Sequence, residues 1–361
     1  MGLHWGAPVL RSLIGEDAWS HIQSVQVDPN EPSKHLDSLF FLNGLTGEKM
    51  GEATVDYFYR LRRSKLRDLL SKDIDVRFNK RLTNITYSDD GRLVTAHFED
   101  GTSSTGRILI GADGARSVVR KLVVKAGPEA AESRRLPICA TFIHARYTAE
   151  QAVALRKHHP LYLAAIHPRG YFSFFGMQDG SDATRPETWT FFFYISWRAS
   201  LAEQDASADW SDAARLAQAR ALAADAPYAD PWRSAYAWID TDDLPVWYMA
   251  MTDWDPAAPD HGWDSRGGRV TLAGDAAHTM TYQRGQGLNH SVTDAAKLLA
   301  AVQSVLRGDV AQDEAVAKYE EEMIARAGEE VRMSTNNTLM LHDWDKAIQS
   351  PVMKKGMNRQ K

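Results

Sequence analysis

The sequence predicts an α/β protein with a mixed-sheet domain inserted in its middle and helices at its C-terminal end. Three observations carry this. Two segments, Ile108–Arg120 and Arg269–Val305, read as strand, glycine-bearing turn, then helix. Between them, "LPICATFIHARY", "GYFSFFGMQ" and "TWTFFFYISW" are aromatic and β-branched runs of strand type. Beyond them, "DEAVAKYEEEMIARAGEEVRMSTNN" reads as a long helix. The division is residues 1–125, a first layer; 126–265, a sheet-based domain; and 266–361, the return to the first layer with the C-terminal helices.

Each element follows in order. "GAPVLRSLIG" predicts a helix, and "DSLFFLNGLTGEKMGEATVDYFYRL" predicts strands around glycine turns. "RRSKLRDLLS" predicts a helix with Leu66, Leu69 and Leu70 as its apolar stripe and Ser64 as cap. Asp-Gly pairs at 90–91 and 100–101 separate apolar-rich runs, a strong hairpin signal. They predict a three-stranded meander whose last strand is Ile108–Ile110. A helix from about Arg116 follows. In the middle domain the alanine-rich "SDAARLAQARALAADA" predicts a helix. "GGRVTLAGDAAH" predicts a strand, and "NHSVTDAAKLLAAVQSVL" a helix with Val292, Ala295, Ala296, Leu299 and Val302 on its apolar face. The basic end, "MKKGMNRQK", is expected to be solvated.

Composition narrows the function. The 361 residues carry a net charge of −5, which argues against a general nucleic-acid surface. No apolar run reaches the ~18 residues of a membrane span, and the first 15 residues lack the layout of a signal peptide. A single cysteine, Cys139, excludes an internal disulfide and fits a reducing, cytoplasmic setting; its place in an apolar run marks it as a buried strand residue. His158–His159 has no matching ligand cluster, so no metal is assigned.

Two loops carry chemistry. In "ILIGADGARSVVR", Gly111 and Gly114 free the backbone at a strand end, Asp113 can accept from ligand hydroxyls or from neighbouring N–H groups, and Arg116 and Arg120 add positive charge. A turn that caps a helix explains the same residues. In "GDAAHTMTYQRGQGLNH", Gly274–Asp275 ends a strand with Asp275 placed to bind a polyol hydroxyl. Gly285 and Gly287 let a ring system lie against the backbone. The helix that starts near Leu288 offers free N–H groups and a positive dipole end. An ordinary strand–loop–helix turn is the plainer alternative.

Together these segments resemble the FAD-dependent aromatic monooxygenases of the p-hydroxybenzoate hydroxylase and salicylate hydroxylase type. "GADGARSVVR" is similar to that family's second flavin motif and "GDAAHTMTYQRGQGLNHSVTDAAKL" to its third, which holds the ribityl chain and flavin ring. "RRSKLRDLL" is similar to the helix whose arginine, here Arg63, reaches the cofactor. "MGLHWGAPVLRSLI" resembles a segment of fungal members that make aromatic polyketides and related metabolites. The resemblance implies a p-hydroxybenzoate hydroxylase-like FAD-binding fold, FAD as cofactor and NAD(P)H as reductant. It implies oxygen from O2 delivered to a phenolic or polycyclic aromatic substrate in secondary metabolism. Cofactor contacts are expected from Arg63, Asp113, Gly114, Arg116, Gly274, Asp275, Gly285, Gln286, Gly287, Leu288 and Asn289. Tyr194 and Tyr171 are candidates to bind or activate a phenol, with sheet packing as their alternative role. His278 is expected to be structural.

Two departures from the family stand out. Tyr282 occupies the position where members usually have proline. The strand–GxGxxG–helix–strand unit that cradles the pyrophosphate is not found: Gly44, Gly47 and Gly51 have the wrong spacing. The first βαβ unit is therefore expected to be missing, through truncation or through altered flavin binding. Competing readings are a non-catalytic family member that binds a ligand or a partner protein, and a flavin oxidase or dehydrogenase on the same fold.

Overall fold

A computed structural model describes residues 1–241 and 244–350. The predicted basic end lies outside the described residues. β1 (Gly2–Leu3) leads into α1 (Ala7–Trp19) and the short α2 (Ile22–Val25). β2 (Leu36–Asn43) and β3 (Lys49–Asp56) form a hairpin, β4 (Tyr59–Arg60) pairs back onto β1, and α3 (Arg63–Leu70) follows. The cap of α3 is Arg62 rather than Ser64, and it makes no side-chain capping bond. Only Leu66 of the expected stripe is buried, against Leu3, Leu10 and Leu61.

β5 (Leu82–Tyr87), β6 (Val94–Phe98) and β7 (Ser103–Gly106) form the meander. Gly91 and Gly101 sit at its turns with φ of 65° and 79°, a region that side chains disfavour. The meander ends at Gly106, not at Ile110. β8 (Leu109–Gly111) is a separate strand, paired in parallel with β14 (Val270–Leu272). α4 (Val118–Val123) follows β8.

The middle of the chain supplies β9 (Arg134–Ala145), α5 (Ala149–Arg156), β10 (Tyr162–His167), β11 (Tyr171–Asp179), β12 (Thr190–Arg198), α6 (Leu201–Ala206), α7 (Asp212–Asp225), α8 (Trp232–Ala237) and β13 (Val246–Asp253). Its strands join a seven-stranded mixed sheet in the order β13-β9-β12-β11-β10-β2-β3. The sheet therefore draws on β2 and β3 as well as on residues 126–265, because β2 adds in parallel to β10. Strand alternation gives the sheet two apolar faces. Tyr162, Phe175, Phe191 and Phe193 cluster with Leu216 and Trp232 of α7 and α8. Phe142, Phe172 and Tyr194 cluster with Leu341, and Tyr282 packs against them. Cys139 is buried in β9.

After β14 come α9 (Gly287–Arg307), α10 (Gln312–Leu341) and α11 (Trp344–Gln349). The inward face of α9 differs from the expected stripe. Val292 and Leu298 are buried, but Ala295 and Leu299 are exposed. Asp294 is fully buried instead. It accepts hydrogen bonds from the Gly274 amide at 2.8 Å and from Arg326 at 2.8 Å, and His278 Nε2 lies 2.7 Å away. This ion-pair network rotates the helix so that 290, 294 and 298 face inward.

Candidate flavin and substrate site

The two sequence loops meet at the C-terminal ends of β8 and β14, because these strands are parallel neighbours. That is where ligands bind on open α/β sheets. The two aspartates there have different surroundings. Asp113 accepts from the Ser117 hydroxyl at 2.5 Å and from the backbone amides of Val118 and Val119 at 2.7 and 3.1 Å. Its carboxylate is occupied by the first amides of α4, whose N-cap is Ser117, and so it holds the turn. The Asp275 carboxylate is exposed and has no hydrogen-bond or ion-pair partner among the described residues. It faces the start of α9: a Cβ built on Gly287 would lie 3.7 Å from Asp275 Oδ1.

Gly287 is the first residue of α9, and Gln286 is its N-cap without a side-chain capping bond. The first amides of this helix therefore keep their donor capacity and positive dipole end. Gly285 precedes them in the left-handed conformation, φ 67°, with nothing within 4 Å of an added Cβ. The side chains of Gln286 and Asn289 are engaged with the N-terminal segment. Gln286 accepts from Trp5 Nε1 at 2.8 Å. Asn289 Oδ1 accepts from the amides of His4 and Gly6, both at 3.0 Å. What these two positions offer a ligand is backbone. Leu288 is half-buried against the cluster of Leu3, Leu10 and Leu61. Gly274 donates its amide to Asp294, which fixes the turn that carries Asp275.

Arg120, not Arg116, is the buried arginine of the first loop. It donates to the carbonyl oxygens of Ala131, Ala276 and Ala115 at 2.8, 3.0 and 2.6 Å and ties the loops together. Arg63 and Arg116 are exposed without ion-pair partners among the described residues, and Gly114 is half-buried. His278 is fully buried beside Asp294.

The glycine loop also touches the sheet. Tyr282 stacks edge-on against Tyr194 and Phe142, both with ring centroids 5.3 Å away. Gln283 donates to Ser196 at 3.4 Å. The residue that replaces the usual proline thus welds the loop to the aromatic wall. Tyr194 is 3% exposed, and burial raises its phenol well above the usual tyrosine range. It can donate a hydrogen bond but cannot serve as a base near neutral pH.

Tyr171 is on the other face. In β11 and β12 the pairs Phe172–Ser196 and Phe174–Tyr194 put 172, 174, 194 and 196 on the wall that meets Tyr282. Tyr171 has the opposite parity and packs with His167, 6.0 Å away, against the cluster under α7 and α8. Sequence reasoning overlooked His144 and Arg60. His144 lies opposite Phe192 in the β9–β12 register and shares the face of Phe142. Its ring is 5.5 Å from Phe192 and 4.5 Å from Trp247. Burial, then Arg62 and Arg60, lower its pKa from the ordinary histidine value, so it is neutral at pH 7. Its parity with Phe142 was the available signal.

The comparisons with known proteins agree with this geometry. The FAD binding domain family matches residues 33–334. The FAD-dependent monooxygenase cctM of Talaromyces islandicus is 35% identical over 361 residues, covering 99% of this chain and 86% of that one. The FAD-dependent monooxygenase phnB of Penicillium herquei is 33% identical over 360 residues, covering 99% and 84%. A salicylate hydroxylase substrate complex shares the fold with TM-score 0.72 at 16% identity, covering 98% of this chain and 86% of that one. Klebsiella pneumoniae HpxO complexed with FAD and uric acid gives TM-score 0.66 at 20% identity, covering 98% and 82%. The chain belongs to the FAD-binding-domain family. Within it, the chain is an FAD-dependent monooxygenase of the class that includes these fungal enzymes. No helix among the described residues is long and apolar enough to cross a membrane.

Proposed function

We propose that this chain hydroxylates a phenolic or polycyclic aromatic substrate on the sheet face formed by Phe142, Phe174, Phe192 and Tyr194, in fungal secondary metabolism and in the cytoplasm. The observation that supports this best is the contact of Tyr282 with Tyr194 and Phe142, which brings the glycine loop and the aromatic wall together. The residues fit a flavin. Asp275 has a free carboxylate for ribityl hydroxyls, the Gly287 edge has no Cβ, and the first amides of α9 can stabilise negative charge on the ring. In this reading Arg63 of α3 and Gly114 and Arg116 of the first loop add contacts, while Asp113 contributes through the turn it holds.

Held by Asp275, the Gly287 edge and the first amides of α9, FAD would supply the redox chemistry, with NAD(P)H as reductant and O2 as the source of oxygen. The chain orients and desolvates. Flat aromatic surfaces hold a ring, Tyr194 donates a hydrogen bond to a substrate oxygen, and neutral His144 Nδ1 or Nε2 takes a phenolic proton, which enriches the ring in electrons. The apolar wall keeps water away. Purified protein given FAD, NADPH, 18O2 and a panel of polycyclic phenols tests this. The expected outcome is substrate-dependent NADPH consumption with one 18O atom in the product. Oxidation without label would identify a dehydrogenase or oxidase and overturn the reading.

A further inference from the structure

Arg60, at the end of β4, is a buried cation with no counter-ion among the described residues. It is 8% exposed. Its Nε donates to the Met177 carbonyl at 3.2 Å. Neither Nη has a hydrogen-bond partner, and no carboxylate pairs with it, among the described residues. The neighbouring Arg62 takes Asp179, and Asp37 accepts from Tyr162, so the nearby acids are engaged elsewhere. The guanidinium carbon lies 4.9 Å from the ring centre of Phe174 and 6.0 Å from that of Phe192. Both rings belong to the wall that carries Tyr194. Burial pushes its pKa down to about 10, with Tyr162 and Tyr194 opposing the shift, so it stays charged at neutral pH.

A buried charge is costly unless something pairs with it. The two aromatic faces compensate in part through cation–π attraction. They also leave the planar Nη fork free, the part suited to binding two oxygens side by side. We propose that Arg60 seats an anionic oxygen of the substrate, carboxylate or phenolate, and so fixes which edge of the aromatic ring faces the glycine loop. The substrate class is then an aromatic acid or an acidic phenol, not a neutral arene. The geometry also assigns a division of labour. Arg60 holds the anion over Phe174 and Phe192, while His144, cross-strand from Phe192, lies close enough for the same charge to depress its ionisation.

The inference rests on the hydroxylase reading for where the substrate lies, but its test needs no turnover. The FAD-supplemented chain is titrated with 3-hydroxy-2-naphthoate and with its methyl ester, and tryptophan fluorescence is followed without NAD(P)H. Wild type is expected to bind the acid roughly tenfold to a hundredfold more tightly than the ester, the range of a charge-assisted hydrogen bond. Arg60→Met should remove that preference; Arg60→Lys should restore part of it. In a second arm, 4-nitrophenol is titrated with pH: bound to wild type it should ionise at lower pH than free, and in Arg60→Met it should not.

Preference in the first arm alone assigns a carboxylate, and in the second alone a phenolate; either supports the proposal. Equal binding of acid and ester together with an unshifted nitrophenol overturns it, as does an anion preference that survives in Arg60→Met. The wild-type comparison holds even if Arg60→Met fails to fold. Failure of 18O incorporation with the preference intact would instead count against the hydroxylase reading alone.

Discussion

At the scale of single residues, the two aspartates at the strand ends differ in their partners. The Asp275 carboxylate has none among the described residues and lies beside Gly287 at the start of α9, whereas Asp113 accepts from the first amides of α4. Asp275→Ala is expected to weaken FAD retention roughly tenfold to a hundredfold, the worth of a charge-assisted hydrogen bond. Asp113→Ala should cost about 1 kcal/mol of stability, the usual value of a lost cap, with a smaller loss of flavin. Flavin absorbance after gel filtration and a thermal melt read the two effects. In the proposed mechanism His144 sets the pH dependence. Its pKa is depressed below the free histidine value, so the neutral, proton-accepting form persists as pH falls through the ordinary histidine range. The acid limb of kcat/KM is therefore expected below about pH 6.5, and His144→Gln should remove that limb and lower kcat while leaving flavin content unchanged.

At the scale of elements, what could be read from the sequence was local. The Asp-Gly turns at 90–91 and 100–101, the helix after the "GADG" turn and the strand before Gly274 depend on neighbours in the chain, and all are present. The errors came from distant partners. Ile108–Ile110 was assigned to the meander because the true partner of this strand, Val270–Leu272, is about 160 residues away. Tyr171 and Tyr194 were indistinguishable until strand pairing fixed their parity. The apolar face of α9 was misplaced because a buried aspartate defines it, and periodicity of apolar residues cannot report an inward charge. This register is testable. Leu298→Ala should cost about 2–5 kcal/mol, as for a buried leucine, and Leu299→Ser under about 0.5 kcal/mol, as for a surface change. Denaturant melts of the two variants decide it; the reverse order would restore the face read from the sequence.

At the scale of the whole molecule, three parts converge on one place: the paired ends of β8 and β14, the amino end of α9, and the aromatic face of the seven-stranded sheet. Tyr282 is the joint between the last two. No G-x-G-x-x-G occurs in these 361 residues. In the proposed reading the flavin lies against the loop around Gly287, where an added Cβ would make only an ordinary 3.7 Å contact with Asp275 Oδ1. A side chain there should leave the protein folded while taking up cofactor space. Isothermal titration of FAD into the chain and into Gly287→Val is the most direct test of the whole account. One-site binding to the parent, lost in a Gly287→Val protein with the same melting temperature, is the predicted result; equal heats of binding in the two would show that the flavin does not lie against this helix.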